Sequence, residues 1–357
     1  MLGKRVVLIG GGHAHVQLLG KFDPKLHNVT LISDALTAGY SGMLPWQLAG
    51  QYSTAQLSFD LRDLCQRYGH KLIGQAAVAI DGERKTVTLK DQKELTYDVC
   101  SIDVGIVPRE LPIQGDSARY VYVKPVASFL GRWQAATARL RGDERILIIG
   151  SGAGAFELAI ALGIRYPDRV KLLTSLKGLA LRAGVAPLAR DALCRHGVTL
   201  IEGETVEQYG ASTVTTNRRT IDFDLAVVAT SAAPTELITR SQLPKDSEGH
   251  VQVDEFLRVT GFEDLFAVGD CAHFLNRPIP KAGVYAVRQG PVLRENILAR
   301  LRGEASLRRY RPQSRVLSLL ISGADEAILN WGPVVLRGRW IAALKRFIDR
   351  RFMERFS

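Results

Sequence analysis

The residues with most capacity for chemistry sit in two glycine clusters. Residues 6–16 read VVLIGGGHAHV, four apolar positions running into three glycines and then into a stretch able to start a helix. Residues 145–155 read RILIIGSGAGA and repeat the design. Each pattern predicts a buried strand that turns sharply into a helix, with a backbone bare enough to approach the pyrophosphate of a dinucleotide. In the first copy Gly10 permits the turn and Gly12 the close approach, while His13 and Ala14 open the helix. The third position, where glycine or alanine lets helix and strand touch, holds His15 instead. Gly150, Gly152 and Ala155 fit the full G-x-G-x-x-A spacing in the second copy. One such fingerprint is weak evidence; two in the same strand-to-helix context predict two dinucleotide sites.

A dinucleotide site also needs a group for the adenosine ribose, usually an acid at the end of the next strand. After the strand VTLI, Ser33 and Asp34 occupy that place, and Asp34 is the better candidate although it falls one residue late. After the strand VKLLT there is no acid, only Thr174 and Ser175, with Lys177 and Arg182 following. That pattern suits the 2′-phosphate of NADPH; it equally suits a ribose held weakly by Ser175 beside a solvated lysine. The run DLFAVGDCA ends a strand at Gly269 and Asp270, an acid placed to accept a ribityl hydroxyl, and YDVCSIDVG ends another at Gly105.

These residues need sheets and helices to position them, and the chain has room for two cores in its 357 residues. Two short alternating runs between Ala76 and Cys100 predict a β-meander. The four cysteines are far apart with no C-x-x-C pair, which points to unpaired thiols, with neither a disulfide framework nor a metal site. The N-terminus enters a strand directly and no apolar run is long enough to span a bilayer, so neither a signal peptide nor a membrane span is expected. Net charge is +11, and residues 294–357 carry 14 Lys and Arg against 6 Asp and Glu. Such a concentration favours an anionic partner surface or a solvated basic face; no nucleic-acid motif accompanies it.

With both fingerprints, the strand ends at Gly105 and at Ala229-Thr230, and FAVGDCA in this order, the chain resembles the flavoproteins with two dinucleotide-binding domains. Within them it is most similar to type II NADH dehydrogenases and to the flavoprotein domain fused to bacterial selenide, water dikinase, on the strings GGGHAHVQLL, YSGMLP, PKAGVYAVRQGP and KRFIDRRFMERF. The resemblance implies FAD on the first fingerprint, facing Gly10, Gly12 and His13, and NADH or NADPH on the second. It matches Glu157 to a glutamate near the nicotinamide, against the plainer reading of a solvent-facing helix residue. It places Lys281 and Ala282 before a helix over 284–289 whose start faces the flavin, where helix dipole and ammonium would stabilise charge on the reduced ring. The glutamine pair of the quinone pocket is replaced by Val284 and Arg288, with Gln289 beyond. The segment 39–50 lacks the redox cysteines of disulfide reductases, and Cys100 and Cys271 read as structural, against sulfide chemistry.

The C-terminal run WIAALKRFIDRRFMERF predicts one apolar stripe of Trp340, Leu344, Ile348, Phe352 and Phe356, joined by Phe347, with Lys345, Asp349 and the arginines covering the rest. The stripe is available to a bilayer interface, to the protein's own domain or to a partner in a homodimer. The expected architecture is α/β: a discontinuous FAD domain over 1–112 and 241–300, an inserted NAD(P) domain over 113–240, and a C-terminal region over 301–357 with the basic amphipathic helix. The expected activity is a cytoplasmic FAD-dependent NAD(P)H oxidoreductase, peripheral to the inner membrane face, with a quinone-like acceptor. Its competitors are a reductase of a soluble acceptor tied to selenium metabolism and a flavin-bound redox sensor of low turnover.

Overall fold

The computed structural model describes residues 3–138, 143–230 and 232–356. They form two compact units, each assembled from separated segments: 1–38, 59–107 and 233–312 in the first, 39–58, 108–232 and 313–357 in the second.

At the centre of the first unit lies a five-stranded parallel sheet in the order Leu265–Ala267, Val99–Ile102, Lys4–Ile9, His27–Ile32, Lys71–Ile73. Val6, Leu8, Leu31 and Ile102 are sealed from solvent, as a sheet covered on both faces requires. The first fingerprint leaves the central strand Lys4–Ile9 and enters helix His13–Leu19. Strands to either side of that central strand run off in opposite directions of the chain, so the carboxyl ends of Lys4–Ile9 and Val99–Ile102 flank the switch point at which such sheets bind ligands. The expected meander is present as the antiparallel strands Ala77–Asp81, Thr86–Leu89 and Glu94–Thr96.

The second unit repeats this order with Tyr120–Tyr122, Leu225–Val228, Ile146–Ile149, Val170–Thr174 and Thr199–Glu202, again all parallel. The second fingerprint leaves its central strand Ile146–Ile149 into helix Ala153–Arg165. Residues 313–357 cluster with this unit, differing from the separate C-terminal region expected, as does the segment 39–58. They form an antiparallel sheet of Ser318–Ile321, Ala327–Trp331 and Val334–Gly338 followed by helix Arg339–Met353.

The helix expected over 284–289 is longer, running Gly283–Leu301 through Pro291. Proline has no N–H to give the carbonyl four residues back, which ordinarily breaks a helix. Here the Gln17 amide, from the facing helix His13–Leu19, lies 3.3 Å from the Val287 carbonyl and donates to it. A side chain thus stands in for the missing bond.

Candidate functional site

In the first unit the glycine turn closes on residues from the next strand. Gly10 has φ +93°, and a Cβ there would overlap the Asp103 main chain; a Cβ at Gly12 would overlap the Asp103 carboxyl group. The loop is bare because Asp103 leaves it no room to be otherwise. His15 is fully buried, with Nδ1 2.8 Å from the Gly10 carbonyl and Nε2 2.8 Å from the Ser101 hydroxyl. A carbonyl can only accept, so Nδ1 carries the proton and Nε2 accepts from Ser101. Burial lowers its pKa to about 4, and the ring is neutral. The histidine therefore fills the space a third glycine would leave open, and it faces the interior rather than a phosphate. His13 opens the helix and its carbonyl accepts from Gln17 at 2.6 Å.

At the ribose end, Ser33 is buried with its hydroxyl donated to the Ala35 carbonyl at 2.7 Å. Asp34 is exposed, one oxygen accepting from the Ala35 N–H at 3.0 Å. Gly269 and Asp270 lie in a single 3-10 turn, Gly269–Cys271, anchored by Gln289, whose buried side-chain oxygen accepts from the Gly269 N–H at 2.7 Å. Lys281 donates to the Ala272 carbonyl at 2.7 Å, Ala282 caps helix Gly283–Leu301, and Gly105 lies beyond the strand end expected for it, in the loop after Val99–Ile102, with φ +64°. Burial pushes the Lys281 pKa down, opposed by Cys271 and the acids Asp246, Asp270 and Glu248.

Asp103 is the residue the sequence reading missed. It follows strand Val99–Ile102, is 3% exposed, and accepts from the Ala14 N–H at 2.9 Å and the His15 N–H at 3.2 Å. Burial, with help from Asp270, raises its pKa to about 7 against those two hydrogen bonds. An acid two residues before a glycine carries no mark of burial in the sequence, so only the fold could find it.

In the second unit, a Cβ at Gly150 would stand 2.6 Å from the Ala229 carbonyl oxygen and 2.9 Å from the Ala155 methyl, which accounts for a small residue at both positions. Gly152 caps helix Ala153–Arg165, with open space where its side chain would be. Ser175 is exposed just past strand Val170–Thr174, and Lys177 is exposed two residues on. Arg182, offered above as a phosphate partner, is committed elsewhere: it donates to the Gly332 carbonyl at 2.7 Å. The nearest carboxylate in register with Thr174 is Glu202, whose two oxygens are taken by Arg190 at 2.5 and 2.6 Å.

Glu157, in that same helix, accepts from the Ile321 N–H at 3.0 Å and is half-buried rather than fully solvent-facing. Burial raises its pKa, with Lys345 pulling it back. Lys345 is itself buried, 3.3 Å from Asp349 and donating to the Gly42 carbonyl at 2.8 Å. Tyr40 hydrogen-bonds Asp349 and stacks on Phe352 at 4.5 Å. The stripe expected along the C-terminal helix is therefore corrected. The buried face is Ile341, Ala342, Lys345, Asp349, Phe352 and Met353, while Trp340, Phe347 and Ile348 point outward. A lysine and an aspartate four residues apart neutralise each other and pass as core, which a binary pattern cannot register.

Both glycine turns present the side-chain-free backbone that a dinucleotide requires, the first beside the Gly269–Cys271 turn. Cys65, Cys100 and Cys271 are buried and Cys194 exposed. The family profile described as pyridine nucleotide-disulphide oxidoreductase matches residues 4–290. Among curated proteins, ferroptosis suppressor protein 1 of Taeniopygia guttata is 24% identical over 91% of this chain and 87% of its own length. A type II NADH:quinone oxidoreductase of Staphylococcus saprophyticus is 24% identical over 98% of this chain and 94% of its own. Among solved structures, the sulfide:quinone oxidoreductase of Aquifex aeolicus superposes with a TM-score of 0.81 at 18% identity, covering 99% of this chain and 91% of that one, a likeness of fold. With two parallel sheets of one topology, each opening at a glycine turn, and a profile match spanning both, the chain belongs to the pyridine nucleotide-disulphide oxidoreductase family.

Proposed function

We propose that this protein is an FAD-dependent NAD(P)H dehydrogenase that delivers electrons to a quinone-like acceptor. The observation that carries the reading is the pair of glycine turns, each at the switch point of its own sheet, in a chain whose buried cysteines are held as thiols. Burial pushes the Cys271 pKa up to about 12 and raises that of Cys100 as well, so neither supplies the thiolate that disulfide or sulfide chemistry needs. FAD, when bound, supplies the two-electron chemistry between nicotinamide and acceptor. The chain supplies the rest. Gly10 and Gly12 admit the flavin nucleotide, Asp270 offers an acceptor to its hydroxyls, and Lys281 sets positive charge beside the Gly269–Cys271 turn. Glu157, its proton affinity raised by burial, is suited to hold and release one of the two protons a quinone takes up on two-electron reduction.

The names of the relatives support a quinone as acceptor, since the Staphylococcus saprophyticus protein is named for it. An acceptor dissolved in lipid requires a protein that reaches the lipid surface. No helix among the described residues is long and apolar enough to cross a membrane. The C-terminal segment instead exposes Trp331, Val334, Leu336, Trp340, Phe347 and Ile348. Arg339, Arg350 and Arg351 are exposed on the same helix. Aromatic anchors among arginines are the chemistry of a helix lying in an anionic bilayer interface, and we assign that face to peripheral docking.

Steady-state turnover with a panel of quinones against water-soluble dyes tests the reading. Quinones are expected to be the better acceptors by kcat/KM. Efficient turnover with dyes and none with any quinone would favour a soluble acceptor and sink the quinone assignment.

A further inference from the structure

The carboxyl group of Asp103 stands where two nucleotide-binding segments meet. It accepts from the N–H groups of Ala14 and His15, and its Cγ and oxygens lie where a side chain at Gly12 would have to go. On its other side, a Cβ at Gly269 would be 2.6 Å from Oδ1. One buried acid thus bridges the glycine turn and the Gly269–Cys271 turn, the two pieces of backbone assigned above to FAD. An ionised carboxylate in this position would add a negative charge next to Asp270 and beside the place proposed for a pyrophosphate. We propose that Asp103 is a positioning residue for FAD that works as the neutral acid, so that binding of the dinucleotide is coupled to one proton held on this carboxyl group. The inference rests on the reading that the first glycine turn holds FAD.

The balance of forces makes the coupling physical. Two backbone hydrogen bonds favour the carboxylate; burial and Asp270 oppose it, and the result is a pKa of about 7 before any nucleotide charge is counted. A further anion in contact can only raise it. The protonated group keeps an oxygen for the Ala14 and His15 donors and gains an O–H to offer an anion. The other titratable groups facing this point are His15 from helix His13–Leu19, Asp270 and Cys271 from the 3-10 turn, and Lys281 beyond them. His15 at about 4 and Cys271 at about 12 lie outside the interval between pH 6 and 8.5. Because the bound form has the higher pKa, FAD affinity is greatest at low pH and falls as pH rises through about 7, by up to about tenfold per pH unit.

The test is release of FAD from the holoenzyme, followed by the fluorescence of free FAD after dilution at pH 6, 7 and 8.5. The expected result is a dissociation constant about tenfold or more weaker at pH 8.5 than at pH 7, and a change under about twofold in Asp103→Asn, whose side-chain oxygen still serves both N–H groups. A neutral carboxylic acid band in the infrared spectrum of wild-type holoenzyme at pH 7.5, absent from Asp103→Asn, gives the same answer without relying on affinity. If Asp103→Asn does not fold, the band is expected to persist in Glu157→Gln and in Asp349→Asn, the other acids whose proton affinity burial raises, and its loss in either overturns the inference. Retained FAD whose release is flat with pH, or no such band, overturns this inference and leaves the FAD assignment standing. A protein that takes up no FAD at any pH overturns both.

Discussion

A histidine at the third fingerprint position has to be housed where glycine or alanine normally lets helix and strand touch, and His15 is housed as an uncharged hydrogen-bonding core residue. Its pKa is depressed from 6.5 to about 4, so the unfolded chain binds a proton the folded one refuses. The stability is intact above about pH 6.5 and is lost as pH falls toward 4, amounting to about 2 kcal/mol at pH 5. Urea midpoints at pH 7.5 and pH 5 check this: His15→Asn should be less stable throughout but with a shallower pH dependence, and equal slopes would show that His15 does not titrate in this range. Glu157 makes the second prediction at this scale. Burial holds its proton to higher pH, so reoxidation of reduced enzyme by quinone should slow as pH rises, and Glu157→Gln should slow it about tenfold or more and flatten the profile. The glutamine still accepts from Ile321, so an unaltered profile in a folded variant would remove Glu157 from the proton path. The glycines that make these sites were legible because a bare turn needs glycine. Asp103, Tyr40 and Gln289 were not, because their roles come from partners distant in the chain.

At the scale of elements, parallel strands announced themselves as unbroken apolar runs, and both central strands, Lys4–Ile9 and Ile146–Ile149, appeared where the fingerprints required. Helices were harder wherever a side chain from elsewhere repaired a local defect. Pro291 should stop a helix, and Gln17 lets helix Gly283–Leu301 continue past it. The C-terminal helix misled for a related reason, since its buried face includes the pair Lys345 and Asp349. Removing one partner strands the other charge in the interior. Lys345→Met alone is expected to cost about 3 kcal/mol or more, whereas Lys345→Met combined with Asp349→Leu should cost markedly less than the two single changes summed. Chemical denaturation of the four proteins closes this cycle, and additive losses would mean the pair is not coupled. Arg346, stacked on Trp46 at 4.5 Å and hydrogen-bonded to Gln51 at 2.7 Å, ties the same helix to the segment 39–58 and explains why that segment clusters with the second unit.

For the whole molecule, the charge excess of residues 294–357 gains meaning from the exposed side chains among it. Apolar residues on a helix that the protein does not bury are a liability unless something else covers them. The triple change Trp340→Ser, Phe347→Ser and Ile348→Ser is expected to abolish sedimentation with vesicles containing anionic lipid while leaving turnover with a water-soluble quinone within about twofold. Undiminished vesicle binding would move the docking face elsewhere. The proposed activity requires electrons to pass from NAD(P)H to FAD and on to a quinone. Anaerobic stopped-flow absorbance tests it most directly: mixing with NADH or NADPH should bleach the bound flavin, and a quinone added in a second mix should restore its colour at rates matching turnover. A flavin that neither nucleotide bleaches at a useful rate, or that no quinone reoxidises, would contradict it.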